Sequence, residues 1–287
     1  GRVSTSFEPM RELLKDSLQD LDRLYKRRSS VTGVPTGFAT LDRWTAGWQA
    51  GDLIIIGARP SMGKTSLALG MAVHAALQEQ RVVGIFSLEM SKRQLVYRIL
   101  SAEASIDAHV LRTGQLSKDS FWRLAEAAGR LENIALSIDD SGGLTVSQLR
   151  GKARRLKAER GLDLLVVDYL QLMQGRSDSE SRQQEISDIS RSLKSLAKEL
   201  DVPVIALSQL SRAVETRKPP IPMLADLRES GAIEQDADVV MFIYREDFYD
   251  PESPRKGIAE ILIRKHRNGP TGDIELEFSE QYARFRE

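Results

Sequence analysis

Runs of apolar residues alternate with helical patterns through most of the chain. Six runs are apolar almost throughout, as is typical of buried strands; they cover residues 52–57, 81–89, 133–139, 163–170, 202–209 and 237–245. Helical periodicity separates them, over residues 64–78, several segments up to residue 131, 145–160 and 184–200. Strands that alternate with helices in this way predict an α/β fold, in which a mostly parallel central sheet is flanked by helices on both faces.

The two ends of the chain follow different patterns. Near the start, apolar residues recur at steps of three and four and predict a helix over residues 6–27, followed by a linker over 29–37 that is rich in Ser, Gly and Pro. A single helix on a linker can bury its apolar stripe on its own domain or on a neighbouring copy, and the pattern leaves both open. Near the end, alternating residues flank Asn268-Gly269-Pro270 and predict a C-terminal antiparallel hairpin. The helical stripe consists of Phe7, Met10, Leu14, Leu18, Leu21 and Tyr25.

The composition is that of a globular protein with a real core, since 41% of the 287 residues are hydrophobic and 29% are charged. Basic and acidic residues balance at 41 each, so any binding of a polyanion must come from a local patch. The chain has no cysteine and only three scattered histidines, which argues against disulfides and against thiolate or histidine metal centres.

No apolar run approaches the length of a membrane span and no signal peptide is visible, so we expect a cytoplasmic location and no membrane partner. Because the chain begins at Gly1, we also expect a fragment of a longer protein.

Residues 57–66 read GARPSMGKTS and directly follow the first predicted strand. The usual spacing of a phosphate-binding loop, G-x-x-x-x-G-K-[ST], has its first glycine where this chain has Ala58, while Gly57 lies one residue earlier. A strand, a tight loop and a helix in this order present backbone amides and a helix N-terminus to phosphates. We therefore predict a nucleotide site, rather than a structural turn, in which Lys64 reaches the terminal phosphates and Thr65 holds magnesium.

Three further predicted strands end in polar side chains that such a site needs, and parallel strands present their carboxyl ends at one edge of the sheet. Asp168 follows four apolar residues and is predicted to support magnesium; the alternative is that it caps a helix. Glu89 is placed to act as the base that polarises the attacking water; the alternative is again a helix cap. Gln209 could sense the γ-phosphate and pass its state to the following loop.

Phosphoryl transfer also needs positive charge that stabilises the transition state, often from an arginine supplied in trans. Arg59 lies within the loop itself, and the sequence offers no other obvious arginine near it. Lys265 and Arg267 alternate near the tip of the predicted hairpin, so both could project from one face into the site of a neighbouring copy. Hydrolysis would then depend on assembly.

Six blocks of sequence together resemble the bacterial replicative DNA helicases of the DnaB family, from about residue 32 to the end of the chain. In chain order they are ARPSMGKTS, FSLEMS, VVDYLQLM, PVIALSQLSRAVE, DLRESGAIEQDADVV and KHRNGP. The order of six blocks is far more specific than any one of them, and RPSMGKT is this family's own form of the loop. The resemblance implies a RecA-like ATPase domain that works in a hexameric ring with ATP bound between subunits.

The resemblance also assigns roles to residues of this chain. Lys64 would bind ATP, Glu89 would be the catalytic base, Gln209 would couple hydrolysis to movement, and Lys265 and Arg267 would enter the adjacent subunit's site. ATP would contact the loop at Arg59, Ser61, Met62, Gly63, Lys64, Thr65 and Ser66, with Mg2+ at Thr65 and Asp168. Single-stranded DNA would be gripped in the central channel at Arg228, Glu229 and Gly231 within the segment Arg228-Glu229-Ser230-Gly231, through phosphates and not bases.

The resemblance divides the chain into a linker helix and tether over residues 1–31 and an ATPase domain over 32–287. The linker helix would dock on a neighbouring subunit, and the family's N-terminal domain, which contacts primase, is absent from the chain. Primase and a helicase loader are the expected partners of the full-length protein, and the expected direction of translocation is 5′ to 3′.

Two other functions share part of this pattern. A RecA-class recombinase has the same fold and a similar site, but we would expect an N-terminal polymerisation motif instead of an amphipathic linker helix. A binding protein or loader that uses ATP only as a switch has less need of a base at Glu89. We therefore favour an ATP-hydrolysing helicase motor.

Overall fold

A computed structural model describes residues 9–27, 31–173, 182–227 and 231–287 of the chain. Within these ranges the strands are β1 (Leu53–Ala58), β2 (Val83–Ser87), β3 (Leu136–Asp139), β4 (Leu164–Asp168), β5 (Val204–Gln209), β6 (Val239–Tyr244), β7 (Ile258–His266), β8 (Gly272–Ser279) and β9 (Arg284–Arg286). The α-helices are α1 (Met10–Arg27), α2 (Ala39–Thr45), α3 (Lys64–Leu77), α4 (Lys92–Ala104), α5 (Ala108–Thr113), α6 (Lys118–Leu131), α7 (Val146–Arg160), α8 (Arg182–Leu200), α9 (Gly231–Asp236) and α10 (Glu246–Tyr249).

All of these strands join one sheet in the order β3-β2-β4-β5-β1-β6-β7-β8-β9. The first six strands along the chain pair in parallel, and β7, β8 and β9 continue the sheet in antiparallel fashion from the edge of β6. The predicted α/β class, the six parallel strands and the antiparallel hairpin are therefore confirmed. The pairing of β6 with β7 was not predicted, and it makes the hairpin part of the central sheet.

The parallel strands are buried on both faces because helices cover each side. Every residue of β1 is buried, and alternate residues belong to different cores, as the two-residue period of a strand requires. Ile54 and Ile56 pack in the core that includes α3, whereas Leu53 and Ile55 pack in the core that includes α7 and α8. This arrangement explains why the strands read as continuous apolar runs.

The first residues after the gap at 28–30 are tied to the domain. Val34 and Trp48 form an antiparallel bridge, and the amides of Thr32 and Gly33 donate to the carbonyl of Ala46. Thr36 donates its amide to the buried carboxylate of Asp42 in α2, at 2.8 Å. Residues 31–37, which the sequence pattern assigns to a linker, are thus anchored to the domain by a short helix that was not predicted and by the residues that directly follow it.

The predicted N-terminal helix is described from Met10 to Arg27. Its apolar stripe lies in solvent, with Met10 69%, Leu18 63% and Tyr25 85% exposed. Phe7, the first residue of the predicted stripe, falls outside the described residues. No helix in the described part of the chain is both long and apolar enough to cross a membrane.

The packing of β1 can be tested with two Gly→Ala substitutions. A Cβ at Gly57 would lie 2.7 Å from the Phe242 ring and 2.9 Å from Leu210, so we expect Gly57→Ala to lower the free energy of unfolding by about 1–3 kcal/mol. Gly70 lies in α3 with nothing within 4 Å of its Cβ position, so Gly70→Ala should raise the free energy of unfolding by about 0.5–1 kcal/mol. Urea unfolding followed by circular dichroism measures both. A Gly57→Ala variant as stable as the parent would contradict the packing described.

Candidate nucleotide-binding site

Four parallel strands bring polar groups to the same edge of the sheet. The neighbours β2, β4, β5 and β1 run side by side, and their carboxyl ends are in register. Ser87 pairs with Asp168, and Ala58, the last residue before the loop, pairs with Gln209. The sequence prediction that these strand ends converge is confirmed, and the edge is where ligands bind in open parallel sheets.

Aromatic side chains of the C-terminal strands and the guanidinium of Arg245 pack around the loop between β1 and α3. Ser61 and Gly63 have φ angles of +66° and +99°, and a Cβ at position 63 would lie 2.8 Å from the ring of Phe285. The buried guanidinium of Arg245 donates to the Ser61 carbonyl at 3.5 Å and lies 4.6 Å from the centroid of Phe278. Glycine is needed at position 63 both for its left-handed backbone and for this close approach.

Asp168 lies at the centre of the site and is almost fully buried. Its Oδ2 accepts a hydrogen bond from the Thr65 hydroxyl at 2.7 Å, and its Oδ1 lies 3.7 Å from Lys64 Nζ. Oδ1 is buried without a hydrogen-bond partner in the described part of the chain. A buried carboxylate oxygen that accepts no hydrogen bond, beside a threonine hydroxyl, fits Mg2+, which is held in nucleotide sites by one or two protein groups together with phosphates and water.

The electrostatics of Lys64 favour a polyanion in this pocket. Burial lowers the pKa of the Lys64 ammonium, and the carboxylates of Asp168 and Glu89 act against that shift. The ammonium also lies 4.3 Å from the centroid of the Tyr169 ring. A phosphate group would supply the negative charge that compensates this desolvated cation.

A cavity of about 260 Å³ opens above the loop. Glu89 and Gln209 line it together with Lys64 and Thr65. Glu89 is exposed and makes no hydrogen bond or ion pair with any residue in the described ranges. The backbone of Gln209 is fixed by Gln171, whose side-chain amide donates to its carbonyl at 3.0 Å and whose carbonyl oxygen accepts from its amide at 3.3 Å.

Two residues of this site were missed by the sequence reasoning. Arg98, in the second turn of α4, lines the cavity and has no hydrogen-bond or ion-pair partner among the residues described. Gln171, which fixes Gln209, lies in a 3-10 turn after β4. The sequence places Arg98 on a helix that begins after the Ser91 capping box, but only the packing of that helix against α3 shows which of its side chains face the loop.

Of the other predicted ligands, Arg59, Ser61 and Gly63 line the cavity, whereas Met62 and Ser66 do not. Arg59 directs its guanidinium to Glu215 and to the carbonyl of Leu210, each at 2.8 Å. The side chains of Met62 and Ser66 are buried in the protein.

Lys265 and Arg267, the cations predicted to act in trans, lie at the opposite edge of the sheet, where the parallel strands begin. The amide of Arg267 donates to the carbonyl of Asp238, whose own amide donates to Leu53 at the start of β1. The loop begins at the other end of that strand, about 17 Å away. Lys265 and Arg267 both donate to the carbonyl of Ala237, at 2.6 and 3.3 Å, so they share one face as predicted. Burial and the neighbouring Arg267 lower the pKa of Lys265, and Asp238 acts against this shift.

The predicted DNA segment is only partly described. Arg228, Glu229 and Ser230 lie outside the described residues, and Gly231 begins α9. The helix ends beside Lys265, which donates to the carbonyls of Glu234 and Gln235 as well as Ala237.

Residues 33–287 match a family model described as the DnaB-like helicase C-terminal domain. The chain belongs to this family. It is 51% identical to the replicative DNA helicase DnaC of Bacillus subtilis and 52% identical to the replicative DNA helicase DnaB of Geobacillus stearothermophilus, over 98% of the chain in each case. It is also 49% identical to the replicative DNA helicase DnaB of Haemophilus influenzae over 95% of the chain. The chain spans 59–62% of the length of these relatives.

Solved structures of similar proteins agree with the fold. One of them, a separate ATPase domain, matches with a TM-score of 0.92 and 41% identity, covering 98% of this chain and 99% of that one. A DnaB-like replicative helicase, solved in a study of its interactions with primase, matches with a TM-score of 0.86 and 42% identity, covering 93% of this chain and 66% of that one. The domain is therefore RecA-like, as the sequence resemblance implied.

The contribution of Arg98 to this DnaB-like domain can be measured by nucleotide binding. Arg98 lines the cavity without a protein partner in the described ranges, so we expect Arg98→Ala to raise the Kd for Mg-ADP about tenfold, as befits the loss of one charge-assisted hydrogen bond. Arg93 is a matched control on the same helix, because its guanidinium contacts the Tyr97 hydroxyl instead. Isothermal titration should show a change below about twofold for Arg93→Ala. Equal losses in the two variants would refute a role for Arg98 in the site.

Proposed function

We propose that this chain is the ATP-driven motor of a replicative DNA helicase, which translocates on single-stranded DNA and unwinds duplex at the replication fork. The observation that carries the proposal is the convergence of Lys64, Thr65, Asp168 and Glu89 at one sheet edge in a member of the DnaB-like family. The names of the relatives support the replicative role.

In the proposed reaction, the loop amides and the start of α3 hold the phosphates of ATP, and Lys64 contacts the terminal ones. Magnesium bound near Thr65 and Asp168 would neutralise charge on the β- and γ-phosphates. Glu89 polarises the attacking water, a role that its free carboxylate at the cavity rim supports. Gln209 lines the same cavity at the end of β5, so the presence of a γ-phosphate can be transmitted to the loop that follows.

Lys265 and Arg267 complete the site of a neighbouring copy in this proposal. Within one chain they lie at the far edge of the sheet from the phosphate loop, which supports a trans role and disfavours a role in their own site. Positive charge supplied in this way stabilises the phosphoryl-transfer transition state. The same geometry supports a head-to-tail assembly with nucleotide between subunits, because each copy offers a loop on one side and two cations on another, and we propose that it closes into the hexameric ring that the sequence resemblance implies.

Helix α1 supports the same assembly. Its exposed apolar stripe needs a partner, and docking on a neighbouring subunit would bury it. The other exposed large apolar side chains of the described residues include Val96 and Tyr97 on α4 and Phe121 and Trp122 on α6. We propose that this second surface, formed by α4 and α6, receives α1 of the next copy.

The proposed contact with DNA involves Arg228, Glu229 and Gly231, facing the central channel of the ring. An arginine and backbone amides can grip phosphates without reading bases, which suits a motor that must move along any sequence. The net charge of zero requires that the positive groups be concentrated locally. Translocation is proposed to run 5′ to 3′, with primase and a helicase loader as partners of the full-length protein in the cytoplasm.

A RecA-class recombinase and an ATP-dependent switch are the competing functions. The family match and the helicase names of the relatives disfavour the recombinase. The free carboxylate of Glu89 beside the phosphate loop disfavours a switch that does not hydrolyse ATP.

Steady-state ATP hydrolysis, measured over a range of protein concentrations with and without single-stranded DNA, tests the proposal. A motor whose sites are completed between subunits should show activity per chain that rises steeply with concentration, and DNA should stimulate it about tenfold by stabilising the ring. Glu89→Gln is the negative control, because it keeps the size of the side chain but removes the base. Activity that is independent of both DNA and concentration would contradict the motor.

A further inference from the structure

Arg59 lies in the phosphate loop and lines the nucleotide cavity, but its guanidinium is bonded to Glu215 and Leu210, which do not line it. Its side chain is only 9% exposed, and its Nε donates to Glu215 while a terminal nitrogen donates to the carbonyl of Leu210, both at 2.8 Å. The amide of Leu210 donates in turn to the carbonyl of Ala58, the residue before Arg59. The last residue of β1 and the first residue of the loop are therefore bonded to residues that follow β5.

The segment after β5, residues 210–227, is organised by a second arginine. Arg217 makes a two-pronged ion pair with the buried carboxylate of Asp226, one bond being 2.8 Å, and also donates to the carbonyl of Ile221 at 2.9 Å. The carbonyl of Asp226 accepts from the amide of Ser211 at 3.1 Å. The two ends of this segment are thus bonded to each other, so it can move as a unit.

This segment lies between the two sites that a motor must couple. It begins directly after Gln209, which lines the nucleotide cavity, and it ends at the buried Leu227, directly before the proposed DNA contact at residues 228–231. Arg59 is the side chain that ties it to the phosphate loop. A displacement of the loop on binding or release of phosphates must carry Leu210 and Glu215 with it, or break two well-formed hydrogen bonds inside the protein.

We propose that Arg59 is a positioning residue that couples the phosphate loop to the segment 210–227, and so transmits the effect of single-stranded DNA to ATP hydrolysis. This inference rests on the helicase function proposed above. It assigns the guanidinium of Arg59 to coupling, while the residue itself lines the nucleotide cavity. The position of a residue between two sites does not establish coupling. A change in the stimulation of hydrolysis by DNA does.

A purely structural role predicts different behaviour from coupling. Glu215 is 42% exposed, and an ion pair with one solvent-exposed partner contributes little to stability. Removing the Glu215 contact should therefore leave thermal unfolding and nucleotide binding nearly unchanged. The stimulation of hydrolysis by DNA should fall, since that quantity depends on the loop and the segment moving together.

The experiment compares Arg59→Gln, Arg59→Lys, Glu215→Gln and the double variant Arg59→Gln/Glu215→Gln with the parent chain. Glu252→Gln is the matched control, because Glu252 is an exposed carboxylate whose side chain makes no hydrogen bond or ion pair within the described part of the chain. For each protein, the Kd for Mg-ADP, the basal ATPase rate, the DNA-stimulated rate and the unfolding temperature are measured.

We expect Glu215→Gln to keep the Kd for Mg-ADP and the basal rate within about twofold, whereas Arg59→Gln should lower DNA stimulation about tenfold. Arg59→Lys keeps the charge but not the two-pronged contact, so it should recover part of the stimulation, and Glu215→Gln should lose about threefold. The double variant should lose no more than Arg59→Gln alone, because both changes break one interaction. Glu252→Gln should behave as the parent.

Three results would overturn the inference. Normal DNA stimulation in Arg59→Gln would show that the contact does not couple the sites. A rise in the Kd for Mg-ADP in Glu215→Gln, in parallel with its loss of stimulation, would show instead that the contact between Arg59 and Glu215 supports nucleotide binding. A parent chain without DNA stimulation would remove the proposed motor function, and the coupling inference with it, so the two failures are distinguishable.

Discussion

The buried carboxylate of Asp168 is the group on which the rest of the site depends. Desolvating a carboxylate is unfavourable unless it is hydrogen-bonded and paired, and here Thr65 and Lys64 supply those contacts from the start of α3. This requirement positions the helix N-terminus over the end of β4, which in turn fixes the loop at residues 59–63. One oxygen of Asp168 has no hydrogen-bond partner in the described part of the chain, which fits the magnesium ion proposed to bind there.

The two edges of the sheet, formed by the carboxyl ends and the amino ends of the parallel strands, carry complementary groups. A single chain cannot bring the two sets of groups together. The carboxyl edge presents Lys64, Thr65, Asp168 and Glu89, whereas the opposite edge presents Lys265 and Arg267 against the end of α9. The length of β1 separates them. In the proposed assembly, a second copy supplies the contact between the edges and also covers the apolar helix face and the aromatic side chains that are exposed on the isolated chain. In this account, assembly is part of the catalytic mechanism.

The local patterns in the sequence predicted much of this structure, and what they missed depends on tertiary packing. The parallel strands, the hairpin and the phosphate loop were predictable because burial on two faces, alternation and a glycine-lysine-threonine tight turn each leave a short-range signal. The role of Arg98 was not, since it lies on a helix whose orientation is set by packing against α3. The direction of Arg59 was equally hidden, because its partners Leu210 and Glu215 are about 150 residues away. Short elements such as α2 and β9 also escaped, since a few residues carry little periodicity.

The most direct test of the central claim, that one active site is built from two chains, is complementation between inactive variants. Lys64→Ala lacks the loop cation and Arg267→Ala lacks the proposed trans cation, so each should be inactive alone. Mixed in equal amounts and allowed to exchange subunits, they should recover roughly a quarter of the parent's ATPase activity, because one interface in four pairs an intact loop with an intact Arg267. A mixture as inactive as its components, under conditions in which subunit exchange is demonstrated, would contradict a shared site.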